Sequence, residues 1–232
     1  MAAIYDCTVP SELLAGTRLA RAAISRGELV VIPTDTVYGL AADAFDPRAV
    51  QRLLDAKGRT RQSPPPVLIA DVRTLEALAE SLSPAARELT AEFWPGGLTI
   101  VVKARASLMW DLGETHGTVA LRQPNHPLAL ELLAETGPLA VSSANLTGQP
   151  AASSAAEALG MLGESVSVYL DSGHPAVGVE PDAELPSATA ALPSTIVDAT
   201  HPEEVRIIRE GAVASSEIRR IVGAALIDRQ AD

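Results

Sequence analysis

The chain has 232 residues, 47% of them hydrophobic and 20% charged, and a formal net charge of -11. That length carries a sizeable core. No run approaches ~18 apolar residues, the single cysteine (Cys7) excludes a disulfide scaffold and a Cys/Cys zinc site, and the acidic balance works against general polyanion binding. The start, MAAIYDCTVP, has no basic region ahead of an apolar run, so no signal peptide is expected and a cytoplasmic location fits.

Ser11 to Arg26 reads as a helix, with Ser11 as N-cap and Gly27 just past its end. Leu29–Ile32 is a strand that breaks at Pro33 into Thr34-Asp35-Thr36, a polar turn that looks like the rim of a pocket. Asp46-Pro47 starts a second helix, with Pro47 at its first position. Val50, Leu53 and Leu54 share one face of it, and Lys57 continues that row. Val67–Ala70 is a strand, and Ser83-Pro84 opens a helix to about Phe93. Leu98–Lys103 and Thr118–Arg122 are strands. A helix around Pro127–Glu135 stops at Gly137, and Leu139–Ser142 is a strand entering a turn. Ser154 and Glu157 form a capping box for the next helix. Val166–Leu170, Thr195–Asp198 and Val205–Arg209 are strands. Ser216 caps a last helix over about 216–228. Residues 174–192, rich in Pro and Ala with several acids, read as a long surface loop. Interleaved strands and helices imply an α/β fold with a mixed parallel and antiparallel sheet, in one domain over residues 1–232.

Familiar catalytic patterns are missing. There is no GxxxxGK[ST], no GxGxxG after the first strand, and no GxSxG around Ser142-Ser143. His116, His126, His174 and His201 lack metal-ligand spacing, so no protein metal site is expected. What remains is a series of polar turns: Thr34-Asp35-Thr36; Lys57-Gly58-Arg59 with Arg61; Thr118 to Arg122; Ser142-Ser143-Ala144-Asn145; Pro193-Ser194-Thr195; and Arg209-Glu210-Gly211. Ligand sites of open α/β sheets form at strand ends. Lys and Arg suit phosphate or carboxylate oxygens, and Ser, Thr and Asn in tight turns hold others. Each group also has a structural use. The threonines can satisfy a strand end, Lys57 and Arg59 a helix C-terminus, and Arg122 a surface acid. The residues by themselves describe an anion-binding α/β domain.

Seven stretches occur here in one order: PTDTVYGLAADA, KGR, FWPGGLTIVV, TVALRQPNHP, PLAVSSANLTGQPA, PSTIVDAT and RIIREGAV. Together they resemble the YrdC-like L-threonylcarbamoyladenylate synthases, over about residues 29–213. The resemblance implies a twisted α/β sheet with flanking helices and a large, concave, positively charged cavity. It implies an enzyme that joins L-threonine, bicarbonate or carbon dioxide, and ATP with Mg2+. The products are threonylcarbamoyl-AMP and pyrophosphate, for modification of tRNA adenosine 37 by a separate transferase complex. By motif, Thr34, Arg122, Ser142 and Ser194 are implied as L-threonine contacts. Lys57, Arg59, Thr118, Ser143, Asn145 and Arg209 are implied as ATP contacts. The net charge does not favour direct tRNA binding. The chain departs from the pattern at Leu68, where many relatives carry a histidine near the substrate. Residues between Asp171 and Pro193 form a longer segment than expected, either a lid or a surface insertion. The second domain of longer relatives is not expected here. A different class, an RNA-binding or ribosome-maturation module on the same fold, stands as the alternative. The carbamoyl-transfer domains of hydrogenase maturation proteins carry acylphosphatase and zinc-finger segments that do not fit in this chain.

Overall fold

The computed structural model describes residues 2–173 and 192–227. Most of the 174–192 loop, and the end of the helix expected to reach 228, lie outside them. In chain order the elements are β1 (Ala3–Asp6), α1 (Pro10–Ser25), β2 (Val30–Ile32), β3 (Gly39–Asp43), α2 (Pro47–Lys57), β4 (Val67–Leu68), α3 (Val72–Leu78) and α4 (Pro84–Phe93). Then come β5 (Leu98–Lys103), β6 (Thr118–Arg122), α5 (Pro127–Thr136), β7 (Leu139–Ser143), α6 (Ala155–Leu162), β8 (Val168–Asp171), β9 (Thr195–Asp198), β10 (Arg206–Arg209) and α7 (Ser215–Val222). The strands form one sheet in the order β1-β8-β2-β3-β7-β4-β6-β5-β9-β10. Pairs β1/β8, β2/β8, β4/β6 and β5/β9 are parallel, and the other five are antiparallel. The mixed sheet is the expected one.

Strand alternation sorts the side chains into two faces. One face carries Val30, Ile32, Ala41, Leu68, Leu139, Val141, Val168 and Leu170, packed under α1 and α5 through Ala20, Ala23, Leu128, Ala129 and Leu132. On the other, Val31, Leu40, Ala42 and Tyr169 meet α2 and α6. Farther along that second face, Val67, Ile69, Ile100, Val102, Val119, Leu121 and Val197 meet α3, α4 and α7. The first face continues across β6, β5 and β9 as Arg122, Ala120, Thr118, Thr99, Val101 and Ile196, which line a cavity instead of a helix.

The caps at Asp46, Ser83 and Ser154 form as expected: each side chain accepts a backbone N–H of the first turn. Two expected caps move. Helix α1 starts at Pro10 with Val9 in the cap position, because proline presets the helical φ and needs no N–H partner. Helix α7 starts at Ser215 with Ala214 in the cap position, so Ser216 is already helical. Elements β1, β3 and α3 are additional to the expected set. The β3 sequence GLAAD has low strand propensity, and its pairing between β2 and β7 overrides that preference.

Candidate functional site

The cavity has a volume of ≈ 430 Å3 and opens on the uncovered part of the sheet. Eight of the ten residues picked from the sequence line it: Thr34, Arg59, Thr118, Arg122, Ser142, Ser143, Ser194 and Arg209. They arrive from the β2–β3 turn, the end of α2, β6, β7, the residue before β9, and β10.

Arg122 is held from three sides. Its Nε donates to Gly96 O at 2.8 Å, Nη1 to Thr36 Oγ1 at 2.8 Å, and Nη2 to Asp35 Oδ1 at 2.6 Å. Asp35 Oδ1 also accepts the N–H of Asn125 at 2.9 Å. A guanidinium has five N–H donors, so among the described residues one on Nη1 and one on Nη2 stay uncommitted. Burial pulls the Arg122 pKa below its ordinary value, Asp35 opposes this, and Arg209 adds to it. The Thr34 hydroxyl donates to Val37 O at 2.6 Å and closes the turn that presents Asp35 and Thr36.

The second wall is the end of β7. Arg59 Nη1 donates to Ser142 Oγ at 3.1 Å and Nε to Thr147 Oγ1 at 3.2 Å. Thr118 Oγ1 donates to Thr115 O at 2.8 Å, which ties the start of β6 to the loop before it. The third wall joins two motifs far apart in sequence. Ser194 O accepts from Arg209 Nη2 at 2.6 Å and Nε at 3.2 Å, and Ser194 Oγ accepts from the same Nη2 at 3.2 Å. Gly211 permits this approach, since a Cβ there would stand 2.2 Å from Pro193 O. Burial and the neighbouring Arg59 pull the Arg209 pKa down. Three guanidinium groups thus border one cavity, and Asp35 answers only one of them. No carboxylate lines it among the described residues.

Lys57 and Asn145 are placed differently. Both are buried behind the cavity wall and neither lines it. The Lys57 ammonium donates to Ser143 O, to Asn145 O at 2.6 Å and to Asn145 Oδ1 at 3.4 Å, which uses all three of its protons. Asn145 Nδ2 donates to Leu146 O and Gln149 O. The pair stitches the Ser142–Asn145 turn to the end of α2. Burial, with Arg59 second, pushes the Lys57 pKa down to about 8.

Asp35 and Thr36, read in the sequence only as part of a polar turn at a pocket rim, also belong to the site, and so does Thr99, for which no role was read. Asp35 and Thr36 fix Arg122. Thr99 lines the cavity, with its Oγ1 2.8 Å from Ser194 Oγ. Its signal was one hydroxyl in the otherwise apolar run LTIVV. Leu68 lines the floor of the cavity.

Such a cavity, cationic and rich in hydroxyls on the open face of a mixed α/β sheet, has the character of a small-molecule site suited to anionic ligands. The Sua5/YciO/YrdC family model, described as telomere recombination, matches residues 22–211. The chain belongs to this family. A Mycobacterium leprae protein is 50% identical over 95% of this chain and 94% of its own length. The threonylcarbamoyl-AMP synthase of Bacillus subtilis is 34% identical over 90% of this chain and 57% of its own. The Pyrococcus abyssi Sua5 structure in complex with L-threonine superposes with a TM-score of 0.78 at 34% identity, over 89% of this chain and 57% of that one. The Escherichia coli YciO structure shares the fold, with a TM-score of 0.71 at 23% identity.

Proposed function

We propose that this protein is an L-threonylcarbamoyl-AMP synthase, a nucleotidyltransferase that uses L-threonine, bicarbonate and ATP. The observation that carries the reading is Arg122. It is a fixed guanidinium on the cavity wall, with one uncommitted N–H on each terminal nitrogen, a pattern that suits a bidentate carboxylate. The 34% identity to a protein solved with L-threonine supports it.

In this reading the carboxylate of threonine pairs with Arg122, and Thr34, Ser142 and Ser194 surround the rest of the amino acid. Arg59, Thr118, Ser143 and Arg209 hold ATP. The threonine amine must be neutral to act as a nucleophile. Guanidinium groups nearby favour that form, and no carboxylate among the lining residues opposes it. The amine nitrogen bonds to the bicarbonate carbon. The C–OH bond breaks, and hydroxide leaves with an amine proton as water. An oxygen of the resulting carbamate then bonds to the α-phosphorus, and pyrophosphate departs with the electron pair of the broken P–O bond. In this reading Arg59 and Arg209, which both line the cavity, offset charge on the phosphates, and the site supplies orientation.

Among the described residues no group of His, Cys, Asp or Glu forms a metal cluster. With no carboxylate among the described lining residues, the donor set fits an ion that comes with the nucleotide and is held on its phosphates. No helix of the described residues is long and apolar enough to cross a membrane.

The test is pyrophosphate release with ATP, magnesium and bicarbonate, with and without L-threonine, and with L-serine as a control. Threonine-dependent release is expected. Absence of release together with absence of ATP and threonine binding overturns the reading in favour of an RNA-binding module on this fold.

A further inference from the structure

The synthase reading leaves the third reactant without a place. Threonine and ATP have bulky anchors, whereas bicarbonate is a small trigonal anion that must lie between the amine and the α-phosphate. Ser194 is read as a contact to threonine and Arg209 as a contact to ATP, so the point where these two side chains touch marks the seam between the ligands. Ser194 Oγ and Arg209 Nη2 are 3.2 Å apart.

The seam has an unusual polar composition. Thr99, 1% exposed, and Ser194, 7% exposed, put two hydroxyls 2.8 Å apart on the cavity surface. Thr99 lies on β5 and Ser194 immediately precedes β9, which pairs with β5 in parallel through Leu98 and Thr195. A buried hydroxyl on a central strand has a desolvation cost unless it is partnered. Here the two hydroxyls share one proton between them, which leaves the second free to donate into the cavity. Arg209 spends Nε and Nη2 on Ser194. Its Nη1 makes no hydrogen bond to a described residue. One hydroxyl proton and an N–H of Arg209 Nη1 are therefore left over beside apolar Val101 and Ile196, which also line the cavity. This is a donor set of the size and charge of a single-carbon oxyanion.

We propose that Thr99, Ser194 and Arg209 form the bicarbonate subsite, with Thr99 as its so far unassigned member. The inference rests on the synthase reading above. Bound there, bicarbonate presents its carbon to the threonine amine held by Arg122, and the oxygen that becomes the carbamate nucleophile stays beside the guanidinium that faces the phosphates. Arg209 would then serve two anions in turn, bicarbonate first and the carbamate–phosphate junction after it.

The experiment measures pyrophosphate release as a function of bicarbonate in CO2-depleted buffer, for wild type, Thr99→Val and Thr99→Ser. Thr99→Val keeps the shape and removes the hydroxyl. The expected result is a bicarbonate KM raised about tenfold, the cost of one lost donor, with the KM values for threonine and ATP within about twofold and recovery in Thr99→Ser. Should Thr99→Val fail to fold, Thr99→Ala provides the same reading. An unchanged bicarbonate KM in an active variant overturns the subsite and leaves the synthase standing. So does a threonine KM that rises as much as the bicarbonate KM. Wild-type protein that releases no bicarbonate-dependent pyrophosphate overturns both.

Discussion

Arg122 and Asp35 form an ion pair of 2.6 Å with their side chains only 7% and 9% exposed. The two lie 87 residues apart in sequence, on β6 and on the turn after β2. Removal of one partner from such a pair leaves a buried charge uncompensated. Asp35→Ala is therefore expected to cost about 3–5 kcal/mol of stability and on the order of 10 °C in Tm. Thermal unfolding checks this. A loss below about 1 kcal/mol would mean that solvent or relaxation already screens the pair.

Arg122→Ala is expected to raise the threonine KM by roughly 30- to 150-fold, about 2–3 kcal/mol for a lost charge-assisted contact. The ATP KM should change far less. Arg122→Lys keeps the charge without the fork and should recover little of the loss. Steady-state kinetics at saturating ATP decide it, and an unchanged threonine KM in Arg122→Ala would remove this residue from the carboxylate role.

The ammonium of Lys57 is committed to the turn that carries Ser142 and Ser143, one residue read on the threonine side and one on the ATP side. Lys57→Met is therefore expected to raise both KM values. Direct binding measurements on a folded variant give the comparison. A loss confined to ATP would show that the ammonium leaves the turn and reaches a phosphate.

Lys57 also gives a pH dependence with two opposite signs. Its pKa is pushed down to about 8 in the folded protein, below the usual ~10.4 of a free lysine. Between these values the unfolded chain binds more protons, so this group alone makes stability rise with pH. The grip on the turn weakens over the same interval, because the neutral amine has one donor fewer. The KM values for ATP and threonine are both expected to rise as pH passes about 8 while Tm does not fall on this group's account. The pH dependence of both KM values, compared between wild type and Lys57→Met, checks it: the Lys57 component must vanish in the variant.

Much of this site was legible in the sequence because its residues sit in short polar turns after apolar runs, and such turns collect at strand ends. Arg59, Arg122, Ser142 and Arg209 were visible in that way. Asp35 was visible only as a turn residue, since its partner is distant in sequence and pairing across a sheet has no local signature. Lys57 followed the apolar row of α2 through Val50, Leu53 and Leu54, and that row ran into the core. Periodicity thus pointed to its burial, while motif chemistry pointed to the cavity. Strand β3 was hidden for the opposite reason: Gly39, Ala41 and Ala42 look like turn or helix residues, and only close packing against β2 and β7 makes them a strand.

Gly39 shows why such small residues are needed there. A Cβ at this position would stand 2.6 Å from Val141 Cγ1, and both residues line the cavity. No left-handed φ is involved, so the constraint is purely steric. Gly39→Ala must push Val141 into the space beside Leu68 and Ser142, at an overpacking cost of about 1–3 kcal/mol, with threonine binding impaired. Val141→Ala removes the obstructing methyl groups. The double variant Gly39→Ala/Val141→Ala is expected to be more stable than the sum of the single losses by roughly 0.5–3 kcal/mol, and to recover part of the threonine affinity. Denaturant unfolding of the four-member cycle, with threonine KM alongside, measures both. Strict additivity would mean that the β3–β7 contact yields by backbone movement, and that the floor of the cavity is not set by Val141.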